Sequence, residues 1–221
     1  MNANYTFSHC IGDNTQGGST PNINTGITNP NDRRFDRGNC TQDRRHVFNL
    51  TGVAGMPKFA NSVLNKFASD WRLSGILAKR SGQFLSVTTG TDVALTGISN
   101  QRTVQLLGDP YASNAYAPTG SNGFLAYLNK AAFTTPIPGT LGNMGRNTIL
   151  GPGYWNLDVA VSREFRIRES QRLELRAEAF NVTNSFRPGN PQLALNNSNF
   201  GLINQSQGDP RIMQFAFKYL F

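Results

Sequence analysis

Apolar and polar residues alternate with a period of two along much of this chain, which predicts strands in nearly every ordered segment. The pattern is clearest in the last third. Trp155, Leu157, Val159, Val161, Phe165 and Ile167 fall on one side of an extended segment; Asn156, Asp158, Ala160, Ser162, Glu164 and Arg166 fall on the other. After a tight turn expected near Glu169-Ser170, Leu173, Leu175, Ala177 and Ala179 oppose Arg172, Glu174, Arg176 and Glu178. A final strand sets Met213, Phe215, Phe217, Tyr219 and Phe221 against Gln214, Ala216 and Lys218. Earlier strands are predicted at Asn4–His9, at His46–Val53 and along a long stretch from Trp71 to Thr89, where Leu73, Gly75 and Leu77 are offset from Arg72, Ser74 and Ile76. Only Asn61–Ala68 has helical spacing, through Val63, Leu64 and Phe67. The rest reads as loop up to Asp43, from Gly90 to Gly153 and over Asn184–Pro210, with weaker strand signals at Arg102–Leu107 and Ala131–Thr134.

Alternation alone also fits a soluble sandwich. Three features favour lipid. The polar sides carry opposite charges in series, Arg172-x-Glu174-x-Arg176-x-Glu178, with Asp158, Glu164 and Arg166 as cross-strand partners. An Arg facing the bilayer midplane costs about 2–4 kcal/mol, so that side has to be wet. Trp155, Phe165, Tyr219 and Phe221 crowd the strand ends, where aromatic girdles sit. Connections alternate long and short: strands ending near His9, Thr89 and Thr183 open into long loops, and those ending near Met56 and Arg168 turn back quickly. Outer-membrane barrels have this parity. The fold expected is all-β: antiparallel, up-and-down strands of a partial transmembrane β-barrel with long outer loops. Arg163 alone breaks the apolar side, and snorkelling at the periplasmic rim would accommodate it.

Composition agrees. Of 221 residues only 38% are hydrophobic, while Phe reaches 15 and Gly 22, which suits strands joined by polar loops rather than helices. No apolar run approaches a membrane helix, and barrel strands would not show one. The net charge of +8 raises nucleic acid as a partner, but the basic residues are scattered and no recognition motif accompanies them; nucleic-acid binding is not expected. Cys10 and Cys40 bracket a polar stretch. They form either a loop-clamping disulfide or two separate thiols, and neither has the spacing of a zinc or redox motif. Met1 leads directly into Asn2-Ala3-Asn4-Tyr5, with neither the charged nor the apolar part of a leader, so a longer parent protein is expected.

The C-terminal alternation ending in Phe221 resembles the signal by which barrels are recognised for outer-membrane insertion. A series of motifs then comes in a familiar order: Asn100-Gln101-Arg102, Gly108-Asp109-Pro110-Tyr111, Gly139-Thr140-Leu141-Gly142-Asn143, Gly145-Arg146-Asn147, Gly151-Pro152-Gly153-Tyr154-Trp155-Asn156-Leu157-Asp158, Arg176-Ala177-Glu178-Ala179-Phe180-Asn181 and Asp209-Pro210-Arg211-Ile212. Together they resemble the C-terminal barrel of Oar-like TonB-dependent receptors of Gram-negative outer membranes. The resemblance implies that residues 1–221 are the C-terminal part of a barrel of about 22 strands, whose plug, TonB box and N-terminal strands lie outside this chain. It also implies uptake of a bulky nutrient of unknown identity. The partners would be outer-membrane lipid, the barrel-assembly machinery and, through the missing N-terminal parts, the periplasmic energy-coupling protein TonB.

No catalytic, cofactor or metal site is expected. Arg176 and Glu178 read as mutually neutralising lumen charges, and Asn181 as the start of a loop turn. Gly151-Pro152-Gly153 reads as the release of the chain from a loop into the strand at Tyr154. Gly139–Gly145 lacks the Lys-Ser/Thr of a phosphate loop. His9 and His46 are too far apart for a metal cluster; Asp13, Asp32 and Asp36 offer calcium a loop site or are simply solvated. Two other functions remain: an outer-membrane adhesin or surface-binding barrel without transport, and a soluble secreted β-domain.

Overall fold

The computed structural model of the protein describes residues 1–13, 28–29, 31–168 and 171–221. The expected turn at Glu169-Ser170 lies outside them, although Arg168 and Gln171 on either side exchange backbone hydrogen bonds of 3.2 Å.

Six long strands form one antiparallel sheet: β1 (Asn2–Phe7), β2 (His46–Gly55), β3 (Trp71–Arg80), β4 (Tyr154–Arg166), β5 (Arg172–Phe180) and β6 (Ile212–Leu220). They are hydrogen-bonded in chain order, the up-and-down arrangement of a barrel wall. The expected stretch from Trp71 to Thr89 is not continuous. β3 stops at Arg80 because the chain bends at Ser81-Gly82, where Gly151 donates its N–H to Gln83. Any Cβ at Gly82 would collide with the Gly151 carbonyl, so this crossing requires glycine.

The registers align the faces row by row. One row reads Tyr5, Phe48, Lys79, Trp155; the next Ala3, Leu50, Leu77, Leu157; then Gly52, Gly75, Val159, Ala179, Met213. Below these come Ala54, Leu73, Val161, Ala177, Phe215, then Trp71, Arg163, Leu175, Phe217, then Phe165, Leu173, Tyr219. A single apolar face thus runs across all six strands, with one formal charge near each end. Trp155 to Phe165 spans ten residue steps, about 33 Å of strand. Tilted by about 35–45°, that is about 23–27 Å of height, against about 25 Å for an outer-membrane apolar band.

Among the described residues nothing packs over this face as a second layer: Phe215 is 72% and Phe217 77% exposed. A soluble sandwich would bury these rows against a second layer, so that reading falls. The hydrophobic core lies instead outside the sheet, in the two long connections 81–153 and 181–211. Val87, Met144, Ile149, Phe133, Phe200 and Ile203 are buried together there. Segments expected to be plain loop are therefore packed structure, held by short pairings. Val104–Gln105 pairs with Phe133–Thr134, joining the two weak strand signals, and Leu202–Ile203 pairs with Phe124–Ala126. At the opposite end of the sheet the connections are short. One of them carries a helix, α1 (Ser62–Ala68), as the spacing predicts.

Candidate functional site

The opposite face of the sheet is polar and gathers all seven residues of the expected charged ladder. Their pairing differs from a simple alternation of opposite charges. Glu164 stands directly across from Glu174, and Arg166 from Arg172. Like charges face each other, and compensation runs diagonally and laterally. Arg172 donates to Glu164 at 3.1 Å, Arg176 reaches Glu178 on its own strand at 2.5 Å, and Lys218 of β6 stands opposite Glu174. These side chains are half exposed, so each ion pair contributes modestly, about 0–1 kcal/mol.

Asp158 has a different task. Its Oδ1 accepts from Asn156 Nδ2 and from the backbone N–H of Asn181, each at 2.8 Å. Asn181 is buried with φ +50°, and its amide donates to the carbonyls of Ser185 and Asp209. The Arg176–Asn181 motif therefore ends in a clasp that turns β5 into its loop. Beside it, Asn156, Asp158, Arg187, Asp209 and Gln214 line a polar cleft of about 420 Å³ at the loop end of the polar face.

The loops above are joined by a node that the sequence does not reveal. Asp36, from the first loop, and Arg102, from the second, form a buried ion pair at 2.9 Å. Arg102 also donates to the Phe35 and Met144 carbonyls and lies 4.1 Å over the Phe35 ring, while Arg146 donates to the Asp36 carbonyl. Burial alone would raise the Asp36 carboxyl, but hydrogen bonds from Arg102 and Thr28 outweigh it and hold the group below the usual carboxylate range. Asn147 and Asn39 exchange amide–carbonyl hydrogen bonds of 2.6 and 2.9 Å. Thr88 pairs with Leu193 and Leu195, bringing in the third loop. Two of the motifs around Arg102 and Arg146 thus knit loops together. Only their order along the chain pointed to them; their partners lie 42 to 110 residues away.

Cys10 and Cys40 are disulfide-bonded, with Cα atoms 5.4 Å apart. Closing a loop of this length restricts the unfolded chain by about 3–4 kcal/mol. The aspartates considered for calcium do not converge: Asp13 pairs with Arg33, Asp32 accepts from the Arg34 N–H, and Asp36 belongs to the buried node. His46 bonds Tyr5 at 2.8 Å.

At the turn end, the aromatic residues and Arg163 form one assembly. The Arg163 guanidinium lies 4.6 Å from the Phe165 ring and 5.4 Å from the Trp71 ring, and donates to the Lys66 carbonyl at the end of α1. Trp71 Nε1 donates to the Phe67 carbonyl at 2.9 Å. Arg163 is thus held between two ring faces and one helix carbonyl at the rim of the apolar band. Val63 and Phe67 of α1 remain exposed, as expected of a helix lying at a membrane surface.

No curated protein and no solved structure matches this chain. A family model described as "Outer membrane beta barrel domain" matches residues 1–214, nearly the whole length. With its apolar outer face, aromatic ends and alternating connections, the chain belongs to the outer membrane beta barrel domain family and is a protein of the outer membrane.

Proposed function

We propose that residues 1–221 form the C-terminal wall of a TonB-dependent transporter that imports a bulky nutrient, with its plug and remaining strands encoded upstream. The observation that carries this reading is the pair of free edges. Among the described residues β1 and β6 each pair on one side only, yet both lie beside an apolar band of membrane height. An open edge in hydrocarbon leaves backbone groups unsatisfied at several kcal/mol each, so further strands have to complete the wall. The order of motifs from Asn100-Gln101-Arg102 to Asp209-Pro210-Arg211-Ile212, which resembles that of Oar-like TonB-dependent receptors, supports the transporter reading. In the completed barrel, the face bearing Asp158, Glu164, Arg166, Arg172, Glu174, Arg176 and Glu178 lines the lumen. The polar cleft beside Asp158 faces the substrate path beneath the loops. The terminal strand Met213–Phe221 serves as the segment read by the assembly machinery.

Uptake by cells carrying the intact gene, with and without TonB, tests the transport reading. Loss of uptake in the TonB deletion is the expected result; equal uptake discards it and favours a surface-binding barrel.

A further inference from the structure

The two cations of the lipid-facing surface are treated differently. Arg163, at the turn end, has a carbonyl and two rings around it. Lys79, at the loop end, forms no ion pair or hydrogen bond among the described residues, although it stands on the same apolar face between Phe48 and Trp155. A groove of about 610 Å³ surrounds it, lined also by Tyr5, His46 and Arg80 and by no carboxylate. An uncompensated ammonium beside an apolar band is unfavourable in hydrocarbon and favourable at headgroup level, next to an anion.

Two rows below Lys79 on the same face, beyond the Leu50–Leu77 row, Gly52 stands opposite Gly75. Neither has a positive φ. A Cβ at Gly52 would meet nothing within 4 Å, and one at Gly75 only the Asp158 carbonyl at 3.6 Å. Backbone conformation and crowding therefore do not call for glycine, and glycine inside a strand weakens it. What the missing side chains leave is a trough of about 370 Å³ between Leu50, Leu77 and Leu157. Gly75 and Lys79 are four residues apart on β3, about 13 Å along the strand, so trough and cation are in line.

We propose that this surface is a binding site for one phosphate-bearing lipid of the outer leaflet, with its phosphate on Lys79 and one acyl chain in the Gly52–Gly75 trough. The site depends on the outer-membrane barrel and is independent of transport and of TonB. It differs from general solvation by lipid in requiring an anionic headgroup and a specific hollow.

Native mass spectrometry of the full-length barrel in detergent tests it, using lipid A with its phosphates and the same lipid with the phosphates removed. The wild type is expected to retain one phosphorylated molecule under conditions that strip the dephosphorylated one. Lys79→Gln should weaken retention about fivefold, the effect of one cation at a membrane surface. Gly52→Leu with Gly75→Leu should weaken both probes by filling the trough. Heat-modifiable migration on gels identifies the folded variants, and Gly52→Leu alone, which points into open space, serves if the double variant does not insert. Equal retention of the two probes, or Lys79→Gln behaving as wild type, overturns the phosphate site. Unchanged retention in the folded glycine variants overturns the trough.

Discussion

On the six strands, large apolar side chains such as Leu73, Trp155 and Phe217 stand exposed, whereas in the loop cap Val87, Met144 and Ile149 are shut away. Charge is distributed the other way round. The sheet leaves its ion pairs half exposed, while the cap encloses the Arg102–Asp36 pair almost completely. The two regions were built for different solvents. The sheet satisfies its backbone through its own ladder and turns greasy side chains toward acyl tails. The cap stands in water and folds like a small soluble domain, burying apolar residues beside polar groups such as Asp36 and Arg102 that pair with each other. A single chain can hold both because the strands end where the cap begins, at Gly82, Gly153 and Asn181.

If that division holds, damage to one region should spare the other. Arg102→Ala should have the largest effect, about 3–5 kcal/mol on the cap, because it leaves the Asp36 carboxylate buried without its cation. Hydrogen exchange of the intact barrel should show faster exchange in residues 81–153 and unchanged protection in β2 to β5. Equal loosening of the strands would merge the two regions into one cooperative unit.

Val159→Arg, in the middle of the apolar rows, should cost about 2–4 kcal/mol, whereas Thr51→Arg, on the polar face, should stay within about 0.5 kcal/mol. Denaturant titration in lipid vesicles compares them, and similar costs would contradict the assignment of the faces. Phe221→Asp should lower the amount of protein reaching the outer membrane without weakening the fraction that inserts. Unchanged levels in fractionated cells would remove the terminal strand from the recognition step.

Acid should produce the mildest separation. The folded pKa of Asp36 lies below its ordinary value of 3.8. Its stabilisation is therefore complete above that value and is lost as pH falls through the lower, folded one. Cap protection should hold from neutral pH to about pH 4 and decline below it. A decline beginning near neutrality would place the sensitive group elsewhere.

The six long strands, their two faces and the parity of their connections were legible in residue order alone, apart from the break after Arg80. Each of these is local: side chains two apart share a face, so Trp155, Leu157 and Val159 disclose their side without reference to any partner. The short helix was legible for the same reason, from Val63 and Phe67. Register was not, and it decided that Glu164 meets Glu174 and that Arg172 reaches across diagonally. Nor was the cap, because its core and its Asp36–Arg102 node join residues far apart in the chain, with no periodicity to announce them. The glycine trough also needed the register, since Gly52 and Gly75 become a single hollow only when β2 and β3 are paired. Short-range alternation is written in the order of residues; contacts that close long loops depend on which distant segments meet, and only the folded chain decides that.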